Sequence, residues 1–150
     1  MKILIDGDSF PHRDTVIKVA KKHNIPVHIY CDYCHEIEDD YAQVFTVDCH
    51  ADSADFAIAN HVEPDDIVVT NDIGLATLTL AMRGYPLNSH GIIYNKQNIN
   101  TYVNRKYMMK TSSRKLKNQN LHSNLPKKPK QSFYGSLSYL IRKTQRKGEK

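Results

Sequence analysis

Short apolar runs alternate along the chain with segments whose apolar residues recur at helical spacing. The runs predict strands at 2–6, 27–31, 43–47, 67–70 and 92–94. The helical spacing predicts helices at 13–23, at 53–61 and through the segment LATLTLAMRG, 75–84. Runs such as IVVT at 67–70 have no polar face, so a strand formed there is buried on both sides. The alternation therefore predicts an α/β fold with three layers, a mostly parallel sheet with helices on both faces.

Length and composition place these elements in one domain. The chain has 150 residues, of which 40% are hydrophobic and 25% charged, as expected for a single domain over residues 1–150. The apolar density falls after residue 95, and residues 111–132, rich in Lys, Ser, Asn and Pro, predict a flexible basic loop. Residues 133–147 predict a C-terminal helix with Phe133, Leu137 and Leu140 on one side.

The same features exclude several classes of protein. No run of 18 apolar residues is present, which predicts no membrane association through a spanning helix. Carboxylates appear from Asp6 onward, too early for the apolar region of a signal peptide. Three cysteines in a chain without an export signal favour a reducing, cytoplasmic location.

Charge is divided unevenly along the chain. Residues 1–95 hold 6 Lys/Arg and 15 Asp/Glu, a net charge of −9, whereas residues 96–150 hold 15 Lys/Arg and one acid, a net charge of +14. A segment this basic favours a polyanionic partner such as nucleic acid, because phosphates bound by cations release condensed counterions. The alternative is that the basic tail folds back on the acidic part of the chain.

Carboxylates follow the predicted strands at the points where they end. Asp6 and Asp8 follow the first strand, Asp48 the third and Asp72 the fourth, while Asp52 and Asp55 begin the helix after the third. The carboxyl ends of parallel strands share one edge of a sheet, so these acids are expected to converge there. Clustered carboxylates suit Mg²⁺ or Mn²⁺. Helix capping is the competing interpretation for Asp52.

Three segments of the chain resemble the YaiI/YqxD family of small bacterial proteins: IDGDSFP, VDCHADSADFAIANH, and DIVVTNDIGLATLTLAMRG with the following SHGIIYNKQNI. That family is similar to PIN-like domains, metal-dependent nuclease folds with acids at the rim of a parallel sheet. The resemblance implies a PIN-like fold and places the family's acidic positions at Asp6, Asp8, Asp52, Asp55 and Asp72. The chain departs from the family at Phe10, where a cysteine is usual, and its basic tail lacks the usual glycines.

These observations predict a metal-dependent nuclease that hydrolyses phosphodiester bonds, with RNA as the more probable substrate than DNA by analogy with the fold. Asp6, Asp52 and Asp72 are the predicted catalytic residues, and Mg²⁺ or Mn²⁺ the predicted cofactor. The predicted cations for the nucleic-acid backbone are Lys96, Arg105, Lys106, Arg114, Lys115, Lys117, Lys127 and Lys128. The alternatives are a nucleic-acid-binding protein with an inactive acidic pocket and an interaction protein whose tail docks a protein partner.

Three other motifs indicate different chemistry. CDYCH at 31–35 has the spacing of a c-type haem attachment site, which would require export. Cys31 and Cys34 with Cys49 and His50 would suit zinc. Asp6-Gly7-Asp8 after a strand is also typical of haloacid-dehalogenase-type phosphatases, although Asp65 and Asp66 precede their strand instead of following it.

Overall fold

The structure is a computed structural model that describes residues 1–7, 10–32, 39–48, 53–111 and 132–148. Its strands are β1 (Ile3–Asp6), β2 (Val27–Asp32), β3 (Gln43–Val47), β4 (Ile67–Val69) and β5 (Tyr85–Leu87). Its helices are α1 (Arg13–His23), α2 (Ser53–His61), α3 (Ile73–Ala81), α4 (Ile99–Thr111) and α5 (Phe133–Gly148).

The five strands form one sheet in the order β3-β2-β1-β4-β5, and every neighbouring pair is parallel. The chain first builds outward from β1 through β2 to β3, then returns to the other side of β1 for β4 and β5. Helices cover both faces of the sheet, so the predicted three-layer α/β fold is confirmed.

Alternate residues of the central strands supply the two cores. Ile3 and Ile5 of β1 pack in the layer that contains α1 and α5, where Val16 and Leu137 are fully buried. Leu4 faces the opposite layer and packs against residues of α2 and α3. Helix α4 lies outside α3, in a smaller cluster around Ile99. Burial on both faces is what the continuous apolar runs predict.

The edge of the sheet next to β4 differs from the prediction. Residues 92–94 do not form the fifth strand; Ile93 makes a single antiparallel bridge to Leu87. The fifth strand is Tyr85–Leu87, with Pro86 at its centre. Proline cannot donate to a sheet ladder and is tolerated on an edge strand, which explains why the YPL segment carries little strand signal.

Two features of the C-terminal half extend the prediction. Helix α4 over Ile99–Thr111 was not anticipated, because most of its residues are exposed and it is held mainly by Ile99 and the half-buried Tyr102. The predicted C-terminal helix is present as Phe133–Gly148. The predicted loop at 111–132 lies outside the described residues except for its two ends.

Polar contacts fasten the edge where the strands begin. The buried Asp66 carboxylate, before β4, accepts hydrogen bonds from the Lys2 backbone N–H at 2.9 Å, from Lys2 Nζ at 2.7 Å and from the Glu63 backbone N–H at 2.8 Å. The end of α5 reaches the same edge, where Lys147 Nζ lies 3.2 Å from Asp65 Oδ1. Within the described ranges, none of the helices combines the length and apolarity needed to span a bilayer.

Candidate functional site

The strand order places a topological switch point between β1 and β4. The strand order reverses between these two neighbours: β2 and β3 are added on one side of β1, and β4 and β5 are added on the other side. Ligands of open α/β sheets bind at such reversals, outside the carboxyl ends of the strands. Asp6 ends β1, and the register pairs Ile5 with Val69, so the residues that follow both strands meet at this edge.

Asp6 is half-buried at the carboxyl end of β1, beside this switch point. It pairs with Tyr30 across the sheet, and the Gly7 N–H donates to the Tyr30 carbonyl at 2.8 Å, which fixes the backbone directly after the carboxylate. Side chains alternate along a strand, so Asp6 belongs to the face of Leu4, the face covered by α2 and α3.

Asp72 lies three residues past β4 and is the N-cap of α3. Its Oδ1 accepts from the Leu75 N–H at 2.9 Å, and its own N–H donates to Thr70 Oγ1 at 3.0 Å. One carboxylate oxygen is therefore committed to the helix, while an ionised carboxylate has acceptor capacity on both oxygens. Within the described ranges, no lysine or arginine forms an ion pair with Asp72.

A polar turn after β5 lies beside the loop that carries Asp72. Asn71 Oδ1 accepts from the Ser89 N–H at 2.9 Å, which joins the loop after β4 to the loop after β5. Both ends of the buried Asn88 amide are hydrogen-bonded: Oδ1 accepts from the N–H groups of His90 and Ile92, and Nδ2 donates to the Tyr94 hydroxyl at 3.1 Å. Sequence reasoning missed Asn88 and Ser89, although the Asn-Ser-His-Gly turn signal was available.

The other predicted metal ligands are only partly described. Asp55 is half-buried in the first turn of α2, a helix that begins at the same edge of the sheet. Asp8 and Asp52 lie outside the described residues. Among the residues that are described, no three His, Cys, Asp or Glu side chains lie close enough together to hold a metal ion. Asp6, Asp55 and Asp72 thus share an edge without forming a three-ligand centre by themselves.

The predicted nucleic-acid contacts divide in the same way. Lys96 is exposed in the turn before α4, and Arg105 and Lys106 are exposed on α4. The remaining five lie outside the described residues: Arg114, Lys115, Lys117, Lys127 and Lys128.

The competing motifs find little support among the described side chains. Cys31 is buried, and its thiol lies 3.9 Å from the Phe45 carbonyl; Cys34, Cys49 and His50 are outside the described residues. Asp66 is engaged by Lys2 at the edge where the strands begin, opposite to Asp6, so it cannot join Asp6 in a phosphatase-type acidic pair.

Comparison with known proteins agrees with the motifs. A family model described as "Uncharacterized BCR, YaiI/YqxD family" matches residues 4–143. A UPF0178 protein of Alkaliphilus oremlandii is 38% identical over 141 residues, which are 94% of this chain and 89% of that protein. One from Natranaerobius thermophilus is 38% identical over 85% of this chain and 94% of its own length, and one from Clostridium perfringens is 34% identical over 95% and 96%. No solved structure matches significantly. The chain belongs to the YaiI/YqxD family.

Proposed function

We propose that the protein is a metal-dependent phosphodiesterase that acts on RNA and uses the carboxyl edge between β1 and β4 as its active site. One observation carries the proposal: Asp6 ends β1, and the loop with Asp72 follows the adjacent strand β4, at the point where the strand order reverses. This is the position at which α/β sheets place their ligands.

The donor chemistry fits a small divalent cation. Asp6 and Asp72 offer carboxylate oxygens, the ligands that Mg²⁺ and Mn²⁺ prefer. The cap on Leu75 takes only one oxygen of Asp72, and it holds the carboxyl group in one orientation. Asp6 and Asp72 are the direct ligands, while Asp8, Asp52 and Asp55 hold a second ion or orient the attacking water.

Each group of residues has a separate role in the reaction. A bound ion supplies Lewis-acid activation of the phosphate and of the attacking water. The Asn71–Ser89 hydrogen bond at 2.9 Å keeps the loops after β4 and β5 together, so it holds the loop that carries Asp72 in place. Lys96, Arg105 and Lys106, with the cations of the 111–132 segment, bind the phosphate backbone.

A second candidate is a nucleic-acid-binding protein whose acidic pocket is inactive. It is favoured by Asp72, whose capping bond already gives this carboxylate a structural reason to be present. In that case the basic residues carry the function and the carboxylates serve only the fold.

Asp6→Asn separates the two candidates, with Asp14→Asn as the matched control, since Asp14 is an exposed acid in the first turn of α1. A labelled single-stranded RNA is incubated with Mn²⁺, and cleavage and binding are measured separately, with EDTA as the metal-free reference. The proposal predicts that the wild type and Asp14→Asn cleave, whereas Asp6→Asn binds RNA but loses cleavage at least 100-fold. Wild-type binding with no metal-dependent cleavage would instead support the binding protein.

A further inference from the structure

Helices α1 and α5 together form a cationic surface that the charge split along the sequence conceals. Residues 1–95 contain only six Lys/Arg, and four of them lie on α1: Arg13, Lys18, Lys21 and Lys22. Helix α5 carries another four: Arg142, Lys143, Arg146 and Lys147. The two helices pack against the same face of the sheet. The structure thus joins cations from the acidic part of the sequence to cations of the basic part.

The opposing charge within this surface is small. The two helices contain eight Lys/Arg and a single acid, Asp14. Three of the cations already have local partners: Lys147 is bonded to Asp65, Lys143 lies over the Tyr85 ring at 5.1 Å, and Lys21 lies over the Tyr41 ring at 5.6 Å.

Arg13 is half-buried, and its charge is among those that lower the pKa of Asp39. The four other cations are exposed and form no ion pair within the described parts of the chain: Lys18, Lys22, Arg142 and Arg146. Each helix contributes two of them, four residues apart, so each pair lies on one helix face about 6 Å apart along the axis. Like charges at this spacing repel each other, and an anion bound between them would remove that cost.

Stabilisation of the helix ends does not account for the whole set. A cation interacts favourably with the helix dipole only within the last turn. Lys22 and Arg146 lie in the last turns of their helices, but Lys18 and Arg142 lie before them. Asp14 lies one turn before Lys18 on the same helix face and offsets part of its charge, whereas helix α5 contains no acid beside Arg142.

We propose that the outer surface of α1 and α5, defined by Lys18, Lys22, Arg142 and Arg146, is a docking face for the phosphate backbone of single-stranded nucleic acid. Tyr139 is 44% exposed, one turn before Arg142, and offers a ring for base stacking. A lipid surface fits less well, because binding there requires exposed apolar side chains beside the cations. The large exposed apolar residues of these two helices, among those described, are Tyr134 and Tyr139 alone.

This face differs from the one that the sequence predicts on α4. Helix α4 lies outside α3, on the other side of the sheet from α1 and α5. The proposal for the α1/α5 face does not require that the protein cleaves RNA. It rests on the proposed function only for the class of ligand, nucleic acid. Its test is therefore carried out in EDTA, where cleavage plays no part.

The experiment measures binding of a fluorescein-labelled 12-nucleotide oligouridylate as a function of salt. A variant with Lys18→Gln, Lys22→Gln, Arg142→Gln and Arg146→Gln is compared with the wild type, and its fold is verified by circular dichroism. Each phosphate contact on a single strand contributes about 0.7 to the slope of log K against log salt. Removing four contacts should reduce the slope by about 3 and the affinity at 100 mM salt by at least tenfold.

Two comparison variants test for location and for net charge. Arg105→Gln/Lys106→Gln removes two cations from α4 and reports on the interface that the sequence predicts. Arg83→Asn removes one exposed cation after α3, and asparagine tolerates the positive φ of 63° at that position. An unchanged salt slope in the four-site α1/α5 variant overturns the proposal. So does a loss of affinity in Arg83→Asn that equals, per charge removed, the loss in the four-site variant.

A measurement on the wild-type protein tests the proposal even if the variants fail to fold. Acetylation of surface lysines is mapped with and without the oligouridylate, and protection is expected at Lys18 and Lys22. Equal modification in both samples contradicts the proposal. Binding to phosphatidylserine vesicles is measured in parallel; loss of vesicle binding in the four-site variant with unchanged oligouridylate binding would identify a membrane face and overturn the nucleic-acid assignment.

Discussion

Asp72 has two proposed roles, and two substitutions separate them. As the N-cap of α3, it accepts from the Leu75 N–H at 2.9 Å; as a metal ligand, it contributes negative charge. Asparagine caps a helix as well as aspartate but carries no charge, whereas alanine does neither. Asp72→Asn should therefore lose the metal and keep the cap, while Asp72→Ala should lose both.

The size of each effect follows from the contacts. Loss of an N-cap side chain costs about 1 kcal/mol of helix stability, and loss of a negative charge at a helix N-terminus costs about 0.3–1 kcal/mol. Asp72→Ala should then be about 1 kcal/mol less stable than Asp72→Asn. In a domain of this size that difference corresponds to about 2–4 °C in Tm.

The assay is thermal unfolding with and without Mn²⁺. A ligand at 100 times its Kd stabilises the folded state by about 2.7 kcal/mol, so the wild-type Tm should rise by about 5–10 °C. Both Asp72 variants should lose this rise, and Asp14→Asn should keep it. Asp72→Asn with a full Mn²⁺ response would refute the metal role and leave the cap intact. Equal Tm values for the two Asp72 variants without metal would refute the predicted contribution of the cap to stability.

Two buried tyrosines and one histidine give further predictions. The Tyr30 hydroxyl, 1% exposed as a residue, has no hydrogen-bond partner among the described residues, so Tyr30→Phe should raise stability by up to about 1 kcal/mol in urea unfolding. Tyr94→Phe, the matched control, should lose about 1–3 kcal/mol because it leaves the buried Nδ2 of Asn88 unpaired; a loss in both variants would contradict this reasoning. Burial first, and then the nearby positive charge, hold the pKa of His28 below its usual value. The unfolded chain then binds the proton more readily, so stability should fall as the pH drops below about 6.5, and His28→Gln should flatten that fall in urea titrations between pH 7.5 and 5; an unchanged slope would exclude His28 as its source.

The buried strands were predictable because their sequences leave little choice. Ile67, Val68 and Val69 are all fully buried, as a run with no polar face requires. Strand β5 and helix α4 were not predictable from periodicity. Pro86 lies at a strand position where other residues donate a backbone hydrogen bond. Helix α4 has few apolar residues on the side that packs against α3. Both elements form because the edge of β4 and the surface of α3 are available in the assembled fold.

In the candidate site, the positions of the acids were predictable from the sequence, but their spatial neighbours were not. The apolar strands next to Asp6 and Asp72 correctly predict that both acids lie at the carboxyl ends of parallel strands: Asp6 is the last residue of β1, and Asp72 lies three residues past β4. That β1 and β4 are neighbours depends on the order of the strands, which a single sequence does not encode locally. The capping bond of Asp72 and the Asn71–Ser89 link depend on loop geometry, so their partners were also unpredictable in detail.

Folding changes the meaning of the charge division in the sequence. Along the chain, net charge passes from −9 before residue 96 to +14 after it, which suggests an acidic body with a basic tail. In space, four of the six cations of the acidic part lie on α1 beside α5, in the layer opposite α2 and α3. Asp6, by the alternation of β1, belongs to the other face of the sheet. The cations of α1 thus join those of α5 in one layer, and a nucleic-acid strand bound on α1 and α5 would have to pass around the carboxyl edge to reach Asp6. A protein that binds on that surface and cleaves at that edge should therefore prefer long single strands to dinucleotides.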